Sequence, residues 1–289
     1  MDVTETRQSL LGRLLPDDDL PDLPVHRGQF HDVVIGAERV VCFARTGAAG
    51  GRLPQRAAVL RTLSGLDLGV RTPEPLAVGD SRDGAGVPYL LLGRIPGAPL
   101  APAELRSGEV AGAVAAQYAA LFTRLAAAGS EPAVREALPR VPRDRWRAFA
   151  GEVRAELFTF MSAAGRERAE RELAALRDLP HLTSAVVHGD LGGENVLWER
   201  RDGLPRLSGV VDWDDVCLGD QAEDLAAVGA SYGTALLEEV LSRIGARPGL
   251  TARISAIRGT FALQQALYAA RDGDREEMDD GLSGYRVAR

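Results

Sequence analysis

The chain has 289 residues, of which 45% are apolar and 26% charged, a composition that fits a globular protein and excludes a largely disordered one. Its formal net charge of −7 argues against nucleic acid as the main partner, because phosphate backbones bind basic surfaces. The N-terminus has scattered charges and no apolar block, and no window approaches the roughly 18 consecutive apolar residues of a membrane span. Cys42 and Cys217 are too few for a disulfide framework and too isolated for a zinc site. We therefore expect a cytoplasmic protein without a membrane partner.

The first third of the chain predicts strands with one helix. Short β-branched runs joined by Gly36-Ala37-Glu38 favour a hairpin, and apolar residues at helical spacing follow. The predicted elements are the strands Asp32–Ile35 and Arg39–Ala44, the helix Arg52–Leu63, and the strands Leu76–Gly79 and Tyr89–Ile95.

The rest of the chain is mainly helical and begins after a Pro- and Gly-rich linker, Ile95–Pro99. Its predicted elements are the helices Glu109–Ala128, Arg145–Met161 and Arg166–Asp178, a β section over Ser184–Val211, and the helices Asp220–Gly229, Tyr232–Ile244 and Thr251–Arg271. This order predicts an α+β protein with two lobes, a small β-rich one over 1–94 and a larger helical one over 95–289. Small-molecule sites tend to lie in clefts between lobes.

One stretch combines polar side chains in a pattern that suits phosphoryl transfer. Asp190 and Asn195 lie on a polar loop between two apolar strands, and Asp212 follows the next apolar strand, Leu207–Val211. Phosphoryl transfer needs a carboxylate near the attacking hydroxyl, and oxygen ligands for magnesium on the phosphates. The spacing is that of a kinase catalytic Asp, an Asn five residues later and a metal-binding Asp after the next hairpin. Each residue alone could be an ordinary turn residue.

These motifs carry a family resemblance. His188-Gly189-Asp190 with Asn195, followed by Asp212-Trp213-Asp214, resembles the catalytic and metal motifs of the aminoglycoside phosphotransferases, and the order of lobes agrees over nearly the whole chain. The resemblance implies a protein-kinase-like fold, ATP as donor (with GTP possible) and Mg²⁺. It also implies direct transfer, in which Asp190 accepts the hydroxyl proton and Asn195 and Asp212 bind the metal. His188 is expected to orient the loop.

A narrower resemblance is to the phosphotransferases of viomycin and capreomycin, which are cationic cyclic peptide antibiotics. It rests on the catalytic stretch and on the segments His26–His31, Val40–Thr46 and Arg253–Tyr268. The implied activity is antibiotic resistance by phosphorylation of a hydroxyl, in a monomer or homodimer. Asp214 and Asp215 adjoin the metal motif and are candidate ligands of the cationic acceptor. Asp214 could equally support the metal site or simply cap the end of the strand.

The nucleotide site is inferred by resemblance. Gly28 and His31 lie where the family places a loop over the phosphates. Leu92, Gly93 and Ile95, with Arg94 among them, occupy the strand and hinge whose backbone meets the base. A hairpin glycine and a buried strand without a ligand explain the same residues.

The family's phosphate-binding basic residue is missing from the third strand. Cys42 occupies its position, and Arg56 occupies the position of the helix glutamate that normally pairs with it. We hypothesise that the charge has moved from strand to helix, with Arg56 reaching across the space that a small Cys42 leaves. Arg52 is the reserve candidate, and Arg45 is predicted to point to the opposite face. Alternatively, Arg56 is a solvated helix residue.

Two other functions remain open at this point. The same chemistry could act on another alcohol, such as an aminoglycoside, a macrolide or an amino alcohol, because acceptor pockets vary within one fold. A catalytically dead kinase-like binding protein would explain the missing basic residue, but three retained chemical groups oppose it. Asp220 and Asp224 open a predicted helix, where negative charge suits the helix dipole, and we predict that they are structural.

Overall fold

A computed structural model describes residues 3–28, 30–80, 87–245 and 248–286. These residues form two compact units. The first unit contains the described residues of 1–117, 132–138 and 194–214, and the second unit contains those of 118–131, 139–193 and 215–289. The lobe boundary between residues 94 and 95 stays a prediction.

The first unit is built on a five-stranded antiparallel sheet. Its strands are Val25–Arg27 (β1), His31–Ile35 (β2), Arg39–Ala44 (β3), Pro75–Gly79 (β4) and Tyr89–Gly93 (β5). They lie in the order β1-β2-β3-β5-β4, so β3 is central and its apolar run is buried. The predicted hairpin is confirmed, since β2 and β3 pair with Val33 opposite Cys42.

Two helices accompany this sheet, Val3–Leu14 (α1) and Gly47–Ser64 (α2). Helix α2 begins where the Thr46 hydroxyl accepts a hydrogen bond from the Ala49 N–H at 3.1 Å, five residues before the predicted start. Its predicted apolar positions are buried, and the helix packs against β3, β4 and β5. The described residues of α1 supply Leu10 and Leu11 to the core of the unit.

A second, smaller sheet of the first unit carries part of the polar motif. Its strands are Ala98–Pro99 (β6), Val196–Arg201 (β8) and Leu204–Val210 (β9), in the order β6-β8-β9. The β8–β9 hairpin turns at Asp202 and Gly203, both with positive φ. Gln117 anchors it, because its amide donates to the Pro205 carbonyl and accepts from the Leu207 N–H.

The second unit is helical apart from one short ribbon, in which Ala185–Val187 (β7) pairs with Cys217–Gly219 (β10). Most of the remaining helices lie in this unit; Gly108–Ala128 (α3) runs from the first unit into it, and Pro132–Ala137 (α4) belongs to the first. The helices that follow are Arg145–Glu156 (α5), Ala163–Arg177 (α6), Ala222–Tyr232 (α7), Thr234–Ile244 (α8), Leu250–Arg258 (α9), Phe261–Asp272 (α10) and Arg275–Gly281 (α11).

The α+β class with a β-rich N-terminal part is confirmed, but several element predictions were wrong. The single helix predicted over Thr251–Arg271 is two helices, because the chain breaks at Gly259 and Thr260 between α9 and α10. The predicted helix Arg145–Met161 ends at Glu156 and is followed by a 3-10 turn. Among the described helices and strands, six were not predicted: α1, α4, α11, β1, β6 and β10.

Helix α3 bears on the prediction that no segment could span a membrane. Among the described residues it is one helix long and apolar enough to do so by length and composition alone. Core helices pass the same test, and Val114, Phe122 and Leu125 of α3 are fully buried. The helix is therefore weak evidence for a membrane.

Candidate active site

The predicted catalytic loop begins where β7 ends, in the second unit. The Asp190 N–H donates to Nδ1 of the buried His188 at 3.2 Å, so His188 shapes the loop as expected. The Asp190 side chain is exposed. The Asp190 carboxylate is thus exposed to solvent, on a loop that the His188 side chain helps to hold in place.

Gly189 is required on this loop for two reasons. Its φ of +92° lies in the region that side chains disfavour. A Cβ at this position would also lie 2.8 Å from Cβ and from the carbonyl oxygen of Asp215. The predicted acceptor residue Asp215 therefore lies directly against the loop that carries Asp190.

Asp224 holds the same loop from α7. Its carboxylate accepts hydrogen bonds from the N–H groups of His188 at 2.8 Å and Gly189 at 3.0 Å. Burial raises the Asp224 pKa to about 7, and the two backbone donors act in the opposite direction. From the sequence, Asp224 was expected to complement the helix dipole, and its contact with the catalytic loop was not predicted.

Its neighbours Asp220 and Glu223 have structural roles, as predicted for Asp220. Asp220 accepts from the Ala222 N–H at 3.1 Å and pairs with Arg253 at 2.6 Å. Glu223 pairs with Arg145, and burial raises the pKa of Glu223. The Glu223 pair therefore ties α7 to Arg145 of α5, and the Asp220 pair ties the segment before α7 to Arg253 of α9.

Asn195 and Asp212 lie at the same end of the β8–β9 hairpin, in the first unit. The Asn195 carbonyl accepts from the Val211 N–H at 2.9 Å, which places the two residues on adjacent strand ends. Asn195 is buried, whereas the Asp212 side chain is 58% exposed. Asp212 has φ of +61°, an uncommon conformation for a residue with a side chain, and the buried Trp213 anchors it by donating to the Val210 carbonyl.

Arg56 of α2 faces this hairpin end. Its Nε lies 2.5 Å from Oδ1 of Asp214, and its Nη2 lies 4.0 Å from Oδ1 of Asp212. Its Nη1 lies 3.4 Å from Nδ1 of His31. The side chain is only 17% exposed. The structure therefore brings together four residues that the sequence analysis singled out, and Arg56 is not a solvated surface arginine.

Cys42 and His31 complete the surroundings of Arg56. Burial raises the pKa of the Cys42 thiol to about 11, and the adjacent Arg56 guanidinium acts against that rise. Burial and Arg56 lower the His31 pKa to about 4, so the imidazole is neutral at neutral pH and its 4.0 Å approach to Asp214 is no ion pair. A neutral Nδ1 that accepts from Arg56 leaves the proton on Nε2. Within the described parts of the chain, that buried Nε2 has no hydrogen-bond partner.

Arg45 and the reserve candidate Arg52 contact the loop before β2 instead. Arg45 Nη1 donates to the Gly28 carbonyl at 2.6 Å, and Arg52 lies over the Phe30 ring at 5.5 Å. The Gly28 N–H donates to the His31 carbonyl at 2.9 Å, which closes the turn. Gln29, within the segment His26–His31, lies outside the described residues.

Part of the predicted hinge segment is buried or hydrogen-bonded to other strands and loops. Leu92 and Ile95 are buried. The Gly93 N–H donates to the Glu74 carbonyl at 2.9 Å, and the Arg94 N–H donates to the Glu38 carbonyl at 2.8 Å. A nucleotide base bound at this segment would have to form its hydrogen bonds with backbone groups other than these two N–H groups.

Comparison with known proteins identifies the family. A model of the phosphotransferase enzyme family matches residues 29–259, most of the chain. This chain belongs to that family. The phosphotransferase is 66% identical over 287 residues to the viomycin phosphotransferase of Streptomyces vinaceus, covering 99% of this chain and 100% of the relative.

Solved structures share its fold at low sequence identity. The GDP complex of wild-type aminoglycoside 2'-phosphotransferase-IIIa superposes with a TM-score of 0.81 at 17% identity, covering 98% of this chain and 97% of the other. The streptomycin–ATP ternary complex of APH(2")-IIa gives 0.71 at 17% identity, with coverage of 99% and 96%. The predicted fold class is thereby confirmed.

The residues of this phosphotransferase fit a magnesium ion shared with a nucleotide. Across the residues described, no group of three or more His, Cys, Asp or Glu side chains forms a metal cage. Magnesium does not require one, since it usually binds one or two protein oxygens together with phosphates and water. The Asn195 amide and the exposed Asp212 carboxylate on adjacent strand ends are such a set.

Proposed function

We propose that this phosphotransferase transfers the γ-phosphoryl group of ATP to a hydroxyl of a cationic cyclic peptide antibiotic of the viomycin and capreomycin type, and so confers resistance. The observation that carries the proposal is the 66% identity to a viomycin phosphotransferase over 99% of the chain. The acceptor pocket is the part of this fold that varies most. Sequence identity of 66% over the full length therefore favours a shared acceptor.

Asp190 is the proposed catalytic base. Its exposed carboxylate, on a loop held by Asp224, would accept the hydroxyl proton of the antibiotic as the new O–P bond forms. The bond between the γ-phosphorus and the bridging oxygen breaks in the same step, and ADP leaves. No covalent enzyme intermediate is involved, so ping-pong kinetics would count against this scheme.

Asn195 and Asp212 would hold Mg²⁺ on the donor phosphates. When bound, the metal would offset the charge on the transferring phosphoryl group. The Trp213 indole N–H donates a hydrogen bond to the Val210 carbonyl and so fixes the backbone next to Asp212. The Asn195 carbonyl is fixed by a hydrogen bond from the Val211 N–H. Both ligands thus come from backbone that the hairpin fixes.

The donor side is proposed from Arg56, His31 and Gly28. A largely buried guanidinium and a buried Nε2–H, which lacks a partner among the residues described, are suitable phosphate donors. The segment containing Leu92, Gly93 and Ile95 would meet the base at the boundary between a nucleotide-binding lobe over 1–94 and an acceptor-binding lobe over 95–289. Related structures bind ATP in one case and GDP in another, so both donors should be tested.

The acceptor side is proposed to use Asp215 and Asp214. Asp215 lies against Gly189, next to the catalytic carboxylate, and it is exposed. A net charge of −7 favours approach of a cationic antibiotic.

The direct test is mass spectrometry of viomycin and capreomycin after incubation with the protein, Mg²⁺, and ATP or GTP. We expect a mass increase of one phosphoryl group that depends on the nucleotide and is lost in Asp190→Asn. If an aminoglycoside, a macrolide or an amino alcohol is phosphorylated and neither peptide is, the proposed acceptor class is wrong. No product with any acceptor despite tight nucleotide binding would favour a binding protein.

A further inference from the structure

Arg56 lies between two carboxylates that differ sharply in distance and exposure. Asp214 is at 2.5 Å and is 31% exposed, whereas Asp212 is at 4.0 Å and is 58% exposed. The guanidinium is mostly buried, and a buried cation requires a close counter-ion. In this arrangement Asp214 meets that requirement, and Asp212 keeps an exposed carboxylate.

The third neighbour of Arg56 cannot replace Asp214. His31 is neutral and offers a lone pair at 3.4 Å, which orients the guanidinium but does not neutralise it. Cys42 keeps its proton at neutral pH, so it carries no charge either. Without Asp214, the nearest anionic group described around Arg56 would be Asp212.

We propose that Asp214 is a positioning residue for Arg56: it holds the guanidinium towards the donor phosphates and keeps it from pairing with Asp212. The proposal rests on the proposed function, since it takes Arg56 as a phosphate ligand and Asp212 as a metal ligand. It assigns Asp214 to the donor side. Because its carboxylate is paired with Arg56, Asp215 alone would then remain of the two acceptor candidates that adjoin the metal motif.

The proposal predicts a specific coupling between the two residues. Asp214→Asn keeps the shape of the side chain but removes its charge, so Arg56 should turn to Asp212. Asp212 would then be less available to magnesium. Removing Arg56 as well should release Asp212 again. A residue that only supports the fold would not show this reversal.

The test is isothermal titration of the full-length protein with ADP and with GDP over a range of Mg²⁺ concentrations. The variants are Asp214→Asn, Arg56→Ala and the double variant, and Asp202→Asn is a matched exposed control on the β8–β9 turn. We expect Asp214→Asn to weaken nucleotide binding about tenfold and to raise the Mg²⁺ needed for half-saturation. The double variant should bind no more weakly than Arg56→Ala, with the Mg²⁺ requirement restored.

Either of two results would overturn the proposal: Asp214→Asn binding within twofold of wild type, or effects of the two substitutions that simply add. Asp214→Ser serves as a second variant if Asp214→Asn does not fold. Because the readout is nucleotide binding, it is independent of the acceptor. If the variants show this pattern of ADP binding but the wild type phosphorylates neither viomycin nor capreomycin, the proposed acceptor is refuted and the positioning role is supported.

Discussion

The carboxylate of Asp224 accepts a hydrogen bond from the backbone N–H of His188 at 2.8 Å, across 36 residues of sequence. Together with its bond to Gly189, this contact fixes the backbone directly before Asp190. Asp224 is buried, with 1% of its surface exposed, and its carboxylate contacts backbone rather than solvent. Its effect on catalysis is therefore expected to come through the position of the Asp190 carboxylate.

Asp224→Asn should lower kcat about 100-fold and leave the KM for nucleotide nearly unchanged. The amide NH2 of Asn cannot accept a hydrogen bond, so one of the two backbone N–H groups would lose its acceptor and the loop would shift. Steady-state kinetics with saturating acceptor measure both constants. Glu238→Gln, at an exposed position of α8, is the control. If the two variants have equal kcat, the loop does not depend on Asp224.

The raised pKa of Asp224, about 7, makes stability depend on pH. An unfolded Asp titrates near pH ~4, so between about pH 4 and pH 7 the folded protein binds a proton that the unfolded chain releases. The free energy of unfolding should therefore fall as pH rises through this window and then level off. Asp224→Asn removes the titrating carboxyl. The difference between the free energies of unfolding of wild type and variant at each pH therefore isolates its contribution. A difference between the two proteins that does not change with pH would contradict this assignment.

The second unit offers a matched glycine pair for testing its packing. A Cβ on Gly165 would lie 1.8 Å from the Tyr285 carbonyl oxygen. A Cβ on Gly151 would have no atom of the described residues within 4 Å beyond its chain neighbours and its own helix backbone. Gly165→Ala should destabilise the protein by about 2 kcal/mol or more. Gly151→Ala, inside α5, should stabilise it by about 0.5–1 kcal/mol. Urea unfolding measures both, and equal stability of the two variants would show that the Tyr285 segment packs elsewhere.

The polar motif could be predicted from the sequence because its parts are local. Asp190 and Asn195 lie five residues apart between apolar strands, and Asp212 ends the next one. Their chemistry and spacing need no knowledge of tertiary contacts. The hypothesis for Arg56 also followed from a local gap in the pattern, the cysteine at position 42. The structure places Arg56 beside Asp212 and Asp214, and its binding of phosphate stays a prediction.

What could not be predicted depends on distant contacts. Asp224 is at the start of a helix, where an acid is ordinary, and only its partners in a loop 35 residues earlier reveal its function. Strand β10 has three residues and is defined by its pairing with β7. The break at Gly259 interrupts no apolar periodicity, so α9 and α10 were predicted as one helix.

Asp190→Asn should reduce kcat by about 10²- to 10⁴-fold, the range for loss of a general base. Nucleotide affinity should not change, because the side chain acts on the acceptor hydroxyl. Single-turnover phosphorylation of viomycin and titration with ADP measure the two effects. Unaltered turnover would refute the assignment of the base, whatever the identity of the acceptor.

Asp212 allows the metal to be separated from backbone strain, because its φ is +61°. Asn tolerates this conformation better than Ala, so Asp212→Ala should be less stable than Asp212→Asn by about 1 kcal/mol. Both variants lose the carboxylate and should bind ADP about tenfold or more weakly with Mg²⁺ present, but nearly as wild type when the metal is chelated. Thermal unfolding and titration with and without Mg²⁺ separate the two effects. Binding that weakens equally under both conditions would mean that Asp212 acts on the nucleotide without the metal.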